Sequence, residues 1–266
     1  MPDDDGLGCY PIFTCQDWSQ IESDLDAMTN DLVSLVLVTD PFGDYDLAHL
    51  RRCFPHRVIP FKEHYVIKLD RAPETFVSHH HRRNARQALH NLRVFKCAEP
   101  RQCLEPWLEL YATLIKRHNI TGIRVFSRTA FAQQLDVPGS VLFRAVYRDT
   151  TVGMLWWYVQ GQFGYYHLGA YSSLGYQMQA SFALFWYAIA HFATCGLERL
   201  DLGAGAGLQP NASDGLSRFK RGWATGTATA YLCGRILQPT RYAKLVMATG
   251  TAQSSYFPAY RHGEFG

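Results

Sequence analysis

Charge is missing from the middle of this sequence: between Asp149 and Glu198 there is no Asp, Glu, Lys or Arg. Strands formed there bring no carboxylate base of their own. Over all 266 residues the charged fraction is 18% and the formal net charge only +3. That excess is too small to demand nucleic acid or an anionic membrane as a partner, though it leaves room for an anionic substrate. The seven cysteines contain no Cys-x-x-Cys pair, which fits reduced thiols better than a disulfide framework or a zinc site. No Gly-x-Ser-x-Gly or His-Glu-x-x-His occurs, so serine and zinc hydrolysis have no local motif. The opening Asp3, Asp4 and Asp5 do not resemble the basic start of a signal peptide. The densest apolar stretch, residues 180–193, contains Ser181 and His191 and is too short to span a bilayer. A protein of the cytoplasm with no membrane anchor is the expectation.

What is present is a hydrophobic fraction of 47%, enough for a full core. Residues 31–39 are rich in β-branched side chains and read as a strand, closed by the turn formers Asp40-Pro41-Phe42-Gly43. A helix over 46–54, extended segments at 57–59 and 64–69, a helix over 74–91 and a strand over 92–97 follow. Leu104, Leu108, Tyr111 and Ile115 recur at helical spacing. Three extended runs, 141–147, 152–159 and 163–168, are joined by links of hairpin length and predict an antiparallel meander. Residues 180–195 read as a buried helix stopped by Gly196, followed by a strand over 197–202, a short helix over 215–221 and a last strand over 227–233. This order is α+β, not a repeating βαβ array.

Three stretches carry a family resemblance. HHHRRNARQALHNLRV, residues 79–94, is similar to a His-Arg-x-Asn-x-Arg-x-Ala helix. Leu200-Asp201-Leu202-Gly203 looks like a strand ending in Asp-x-Gly. SDGLSRFKRGW, residues 213–223, resembles a Gly-Leu-x-x-Phe-Lys-x-Gly-Phe signature. Together with the element order they resemble the FemAB-related branch of the GNAT acyltransferases over roughly residues 30–235. The resemblance implies a GNAT-like fold, a mixed and mainly antiparallel sheet flanked by helices, with two modules in tandem. The expected division is 1–99, 100–238 with the donor site, and a tail at 239–266 that packs back or stays flexible. It also implies transfer of an acyl group from acyl-CoA, or an aminoacyl group from aminoacyl-tRNA, to an amine of a small molecule or peptide, with no metal. A non-catalytic module that binds a phosphorylated ligand is the alternative.

Aminolysis needs a deprotonated amine held against the carbonyl and a stabilised oxyanion, so position matters more than a nucleophile. On the strand 163–168 the two-residue period puts Tyr165 and His167 on one face and Tyr166 on the other. His167 is a candidate base and Tyr165 a candidate donor, or both are packing residues. Asp201, at a strand end before the glycine-rich residues 203–207, is a candidate acceptor for the substrate amine, and those glycines form either a turn or a substrate-facing loop. The resemblance makes Lys220, with Arg221, a phosphate contact and groups Phe219 with the substrate; a solvated helix face is the other reading. The expected coenzyme A loop is replaced by residues 170–181, whose only glycine is Gly175. The N–H groups from Gly175 and Gln177 onward remain candidates for phosphate. Arg82 and Arg86 share a helix face with Asn84 nearby and are candidates for a phosphate-bearing substrate or tRNA. The run His79-His80-His81 does not have its side chains directed together, so metal binding is not expected there.

Overall fold

A computed structural model of the chain describes residues 5–8, 15–122, 125–205 and 214–264. In chain order the first elements are β1 (Asp5–Leu7), α1 (Ile21–Ala27), β2 (Ser34–Val38), α2 (Leu47–Cys53), β3 (Arg57–Lys68), α3 (Pro73–Phe76), α4 (His79–Asn91) and β4 (Arg93–Lys96). They are followed by α5 (Leu104–His118), α6 (Arg128–Leu135), β5 (Ser140–Tyr147), β6 (Thr150–Gln160), β7 (Phe163–Tyr171), α7 (Ser173–Gln177) and α8 (Ala180–Thr194). The last are β8 (Arg199–Asp201), α9 (Gly215–Arg221), β9 (Gly226–Ile236) and α10 (Pro239–Thr249). Ser213 and residues 206–212, within the glycine-rich and third-motif stretches, lie outside the described residues, as do Asp3 and Asp4.

Two local expectations are corrected. Residues 74–91 are not one helix: Val77 is extended, and Ser78 starts a new helix by accepting from the His81 N–H, the usual work of a serine N-cap. Residues 57–68 form one strand instead of two extended pieces.

The chain forms two compact units. In the first, residues 1–64 with 228–266, β1 runs parallel to β2 and β2 antiparallel to β9. Its core gathers Trp18, Ile21, Leu25, Leu37, Leu50, Phe54 and Cys233. The C-terminal segment belongs here: the Tyr260 hydroxyl lies 2.8 Å from Ser34 Oγ, and Arg261 pairs with Asp5 at 2.9 Å.

The second unit, residues 65–227, holds the strand order β3–β8–β7–β6–β5–β4, with β3 contributing its last four residues. Neighbouring strands are antiparallel except β7 and β8, which run parallel. Consecutive residues of a strand face opposite sides, and Trp156 and Trp157 show which helices lie where. Trp157 meets Phe185 and Phe192 of α8, whereas Trp156 meets Trp107 of α5 and Phe131 of α6. Both indoles are fully buried, and truncating either to alanine would cost about 3–5 kcal/mol.

This is the mixed, mainly antiparallel α+β plan expected. The boundary expected near Glu99-Pro100 falls inside the second unit, because β4 before it pairs with β5 after it from Arg93↔Val146 to Lys96↔Phe143. Among the described residues no helix is long and apolar enough to cross a membrane.

Candidate functional site

Strands β7 and β8 pair over only three positions, Phe163↔Arg199, Gly164↔Leu200 and Tyr165↔Asp201. Beyond Tyr165 they separate. Strand β7 continues along β6 to Tyr171. The chain after β8 instead follows β3, with Leu202 N–H donating to the Tyr65 carbonyl at 2.9 Å and Tyr65 N–H to the Gly203 carbonyl at 3.1 Å. Among the described residues no strand pairs with the edge of β7 over 166–171 on that side. A notch results in the sheet.

Lys220 enters this notch. Asp214 caps α9 by accepting from the N–H groups of Leu216 and Ser217 at 2.8 and 2.9 Å. The helix thereby turns Ser217 and Lys220, three residues apart, to its buried face. Lys220 is only 5% exposed. Its Nζ donates to the Ala204 carbonyl at 2.6 Å and stands 5.7 Å from the ring centre of Tyr166, so it touches both sides of the notch. Burial lowers its pKa to about 8, against the opposing pull of Asp201 and Asp214. At neutral pH it is still mainly an ammonium, held where water screens it little.

The turn after β8 makes room for it. Asp201 is 2% exposed and its carboxylate accepts from the Gly203 N–H at 2.7 Å. Gly203 has φ +72° and a Cβ there would lie 3.3 Å from Lys220 Nζ; one at Gly205 would lie 2.1 Å from Ser217 Oγ. Both glycines therefore serve the turn and the seating of α9.

A bulge shapes the opposite wall. The register of β6 against β7 slips between Trp156 and Trp157, which pair with Leu168 and Tyr166. The extra residue puts Tyr166, Gly169 and Tyr171 on the α8 side together. A Cβ at Gly169 would lie 2.8 Å from both the Tyr166 and the Tyr171 hydroxyls. Desolvation raises both phenols above their ordinary pKa, so they remain neutral donors. Strict alternation along the sequence does not reveal this cluster, which depends on the slip.

The other sequence candidates are placed as follows. Tyr165 is buried beside Asp201 in the ladder, on the face opposite Tyr166. His167 shares the Tyr165 face, between Trp156 and Tyr158 with ring centres 5.3 Å away, and its Nε2 lies 2.9 Å from Gln134 Oε1. Burial lowers its pKa to about 4. Gly175 is buried, its N–H donates to Ser172 Oγ at 3.0 Å, and a Cβ would lie 1.9 Å from the Val152 carbonyl. Its donor is thus occupied in the free chain, and it is glycine because α7 lies against β6. Gln177 ends α7, exposed. On α4, Arg82 donates to the Glu74 carbonyl at 2.9 Å, buried Asn84 lies 2.9 Å from His80 Nε2, and Arg86 is exposed. Phe219 packs on Phe182 and Phe185 at 5.2 and 5.0 Å, and Arg221 is exposed. Among the described residues no three His, Cys, Asp or Glu side chains group to hold a metal ion.

Comparison with known proteins fits this architecture. The family model described as the acetyltransferase (GNAT) domain matches residues 78–221, more than half of the chain. No curated protein sequence matches it. Among solved structures, FemX is similar with a TM-score of 0.67 and 13% identity, over 86% of this chain and 80% of that one. The C-terminal DUF2156 domain of a candidate lysylphosphatidylglycerol synthetase from Agrobacterium fabrum has a TM-score of 0.62 and 11% identity over 92% and 84%. L-PGS from Bacillus licheniformis has 0.57 and 15% over 81% and 72%. At such identities these structures establish a shared fold. With its matched segment lying wholly within the second unit that carries the notch, the chain belongs to the acetyltransferase (GNAT) domain family and is an N-acyltransferase in its general activity.

Proposed function

We propose that the chain transfers an aminoacyl group from aminoacyl-tRNA to an amine by direct attack in the β7/β8 notch. The observation that carries this reading is the buried ammonium of Lys220 spanning the notch between Ala204 and Tyr166. In the reaction the amine nitrogen bonds to the ester carbonyl carbon, the bond to the ribose oxygen breaks, and the amine's proton passes to that leaving oxygen. Lys220 stabilises the negative charge that develops on the carbonyl oxygen, where a preorganised cation in a dry site is worth most. The phenols of Tyr166 and Tyr171 are further donors on the same wall. Asp201 shapes the turn and favours the charged form of Lys220. His167, neutral and engaged by Gln134, is not needed as the base.

Gly175 supports aminoacyl-tRNA as the donor. Its N–H is taken by Ser172, so the glycine of α7 does not offer that donor to a pyrophosphate. One structural relative bears the name lysylphosphatidylglycerol synthetase, and a lysyl group is an aminoacyl group. The family's description as acetyltransferase favours acyl-CoA as the second reading. Either donor is consistent with the cytoplasm as the site of action.

Two measurements test this. A thermal-shift titration with aminoacyl-tRNA and acetyl-CoA in parallel reads the donor, since a ligand of the folded state raises the melting temperature. Stabilisation by aminoacyl-tRNA that weakens steeply with salt is expected, and a response to acetyl-CoA alone would reverse the donor assignment. With the donor known, Lys220→Met should lower kcat/KM about hundredfold, and an unchanged value would remove Lys220 from the reaction.

A further inference from the structure

The start of α4 and the end of α9 are joined by three residues that acyl transfer, as described, does not use. His81 is buried on α4. Its Nε2 lies 2.8 Å from the Phe219 carbonyl and its Nδ1 2.9 Å from Ser78 Oγ. A carbonyl can only accept, so Nε2 carries the proton and Nδ1 accepts from the serine hydroxyl. Ser78 adds a second tie, its N–H donating to the Gly222 carbonyl at 2.9 Å. The ring is enclosed by Phe182, Phe219 and Trp223 at 5.0, 5.4 and 4.8 Å. Gly222 completes the fit, because a Cβ there would lie 2.1 Å from His81 Cε1.

A helix of seven residues has little stability of its own and sits where its packing puts it. The Phe219 carbonyl belongs to the residue immediately before Lys220, so any movement there shifts the Lys220 backbone with it. The first of the three sequence motifs, beginning in this stretch, thus meets the third. We propose that His81 is a positioning residue for acyl transfer, holding α9 so that Lys220 Nζ reaches across the notch to Ala204 and Tyr166. The proposal rests on the role given to Lys220 above.

The test reads Lys220 itself, in the full chain without substrate. The rate of acetic anhydride labelling at Lys220, followed by peptide mass spectrometry across pH, gives its apparent pKa. In the native chain the midpoint is expected near 8. In His81→Ala it should rise by at least about one pH unit toward the ordinary lysine value as the amine gains water, and kcat should fall by up to about hundredfold with KM less affected. His81→Gln, whose amide N–H can reach the Phe219 carbonyl, should restore much of both; His81→Asn, too short to reach, should not. The Gln and Asn pair gives the same reading if the alanine variant fails to fold. An unmoved Lys220 midpoint in the Ala and Asn variants overturns the proposal, whatever happens to activity. A moved midpoint with unchanged kcat upholds the joint and overturns the catalytic role of Lys220 instead.

Discussion

Two buried bases in this unit make opposite ends of the pH range informative. Lys220 has a folded pKa of about 8 against an ordinary 10.5. Between those values the unfolded chain holds a proton that the folded chain has released, so stability rises with pH across the window. The full effect is on the order of 3 kcal/mol. Lys220→Met should flatten that rise, so the stability of the native chain relative to the variant grows from pH 8 to 10; urea unfolding at several pH values measures it, and parallel curves would mean that the ammonium is hydrated. His167 gives the acid counterpart. Its pKa of about 4 lies below the ordinary 6.5, and again the unfolded chain binds the extra proton, so stability falls as pH drops through this window. His167→Gln should be less acid-sensitive between pH 6.5 and 4, by up to about 3 kcal/mol. The face of His167 was legible from strand alternation. Its environment was not, because Gln134 and the indole of Trp156 come from other elements.

Among elements, the same contrast separates what one segment decides from what two decide together. The bounds of α9 were legible in full, whereas α10, a helix within residues expected to form a tail, is bracketed by Pro239 at its start and by Gly250 in left-handed conformation after its end. The β-bulge at Trp156 and Trp157 has no such local mark, and it alone brings Tyr166, Gly169 and Tyr171 to one face. The joint between α4 and α9 is also a property of two elements, which makes it suited to a double-mutant cycle. Gly222→Ala should destabilise the chain by about 1–3 kcal/mol, because the new methyl meets the His81 ring. In a His81→Ala background the same change should cost much less. Equal costs in both backgrounds, by chemical denaturation, would show that Gly222 is there for another reason.

At the scale of the whole molecule, the family match over 78–221 lies within the second compact unit, 65–227. The notch, Lys220, the tyrosine cluster and the His81 joint all belong to that unit. The sequence order implied such a fold but placed a boundary at 99, since nothing local tells that β4 will pair with β5 across the intervening helices. If the donor occupies the notch, its effect on amide exchange should have a definite distribution. In the free chain the β7 edge over 166–171 has no strand partner on the notch side among the described residues, so its outward amides should exchange quickly. Donor binding should slow them, along with residues 202–205 and α9, whose Lys220 closes the notch. Strand β2 and helix α10, in the first unit, should be unaffected. Hydrogen exchange read by mass spectrometry with and without aminoacyl-tRNA decides it: protection confined to β2 or α10 would move the donor site out of the notch, while protection centred on β7 and α9 would fix the chemistry between them.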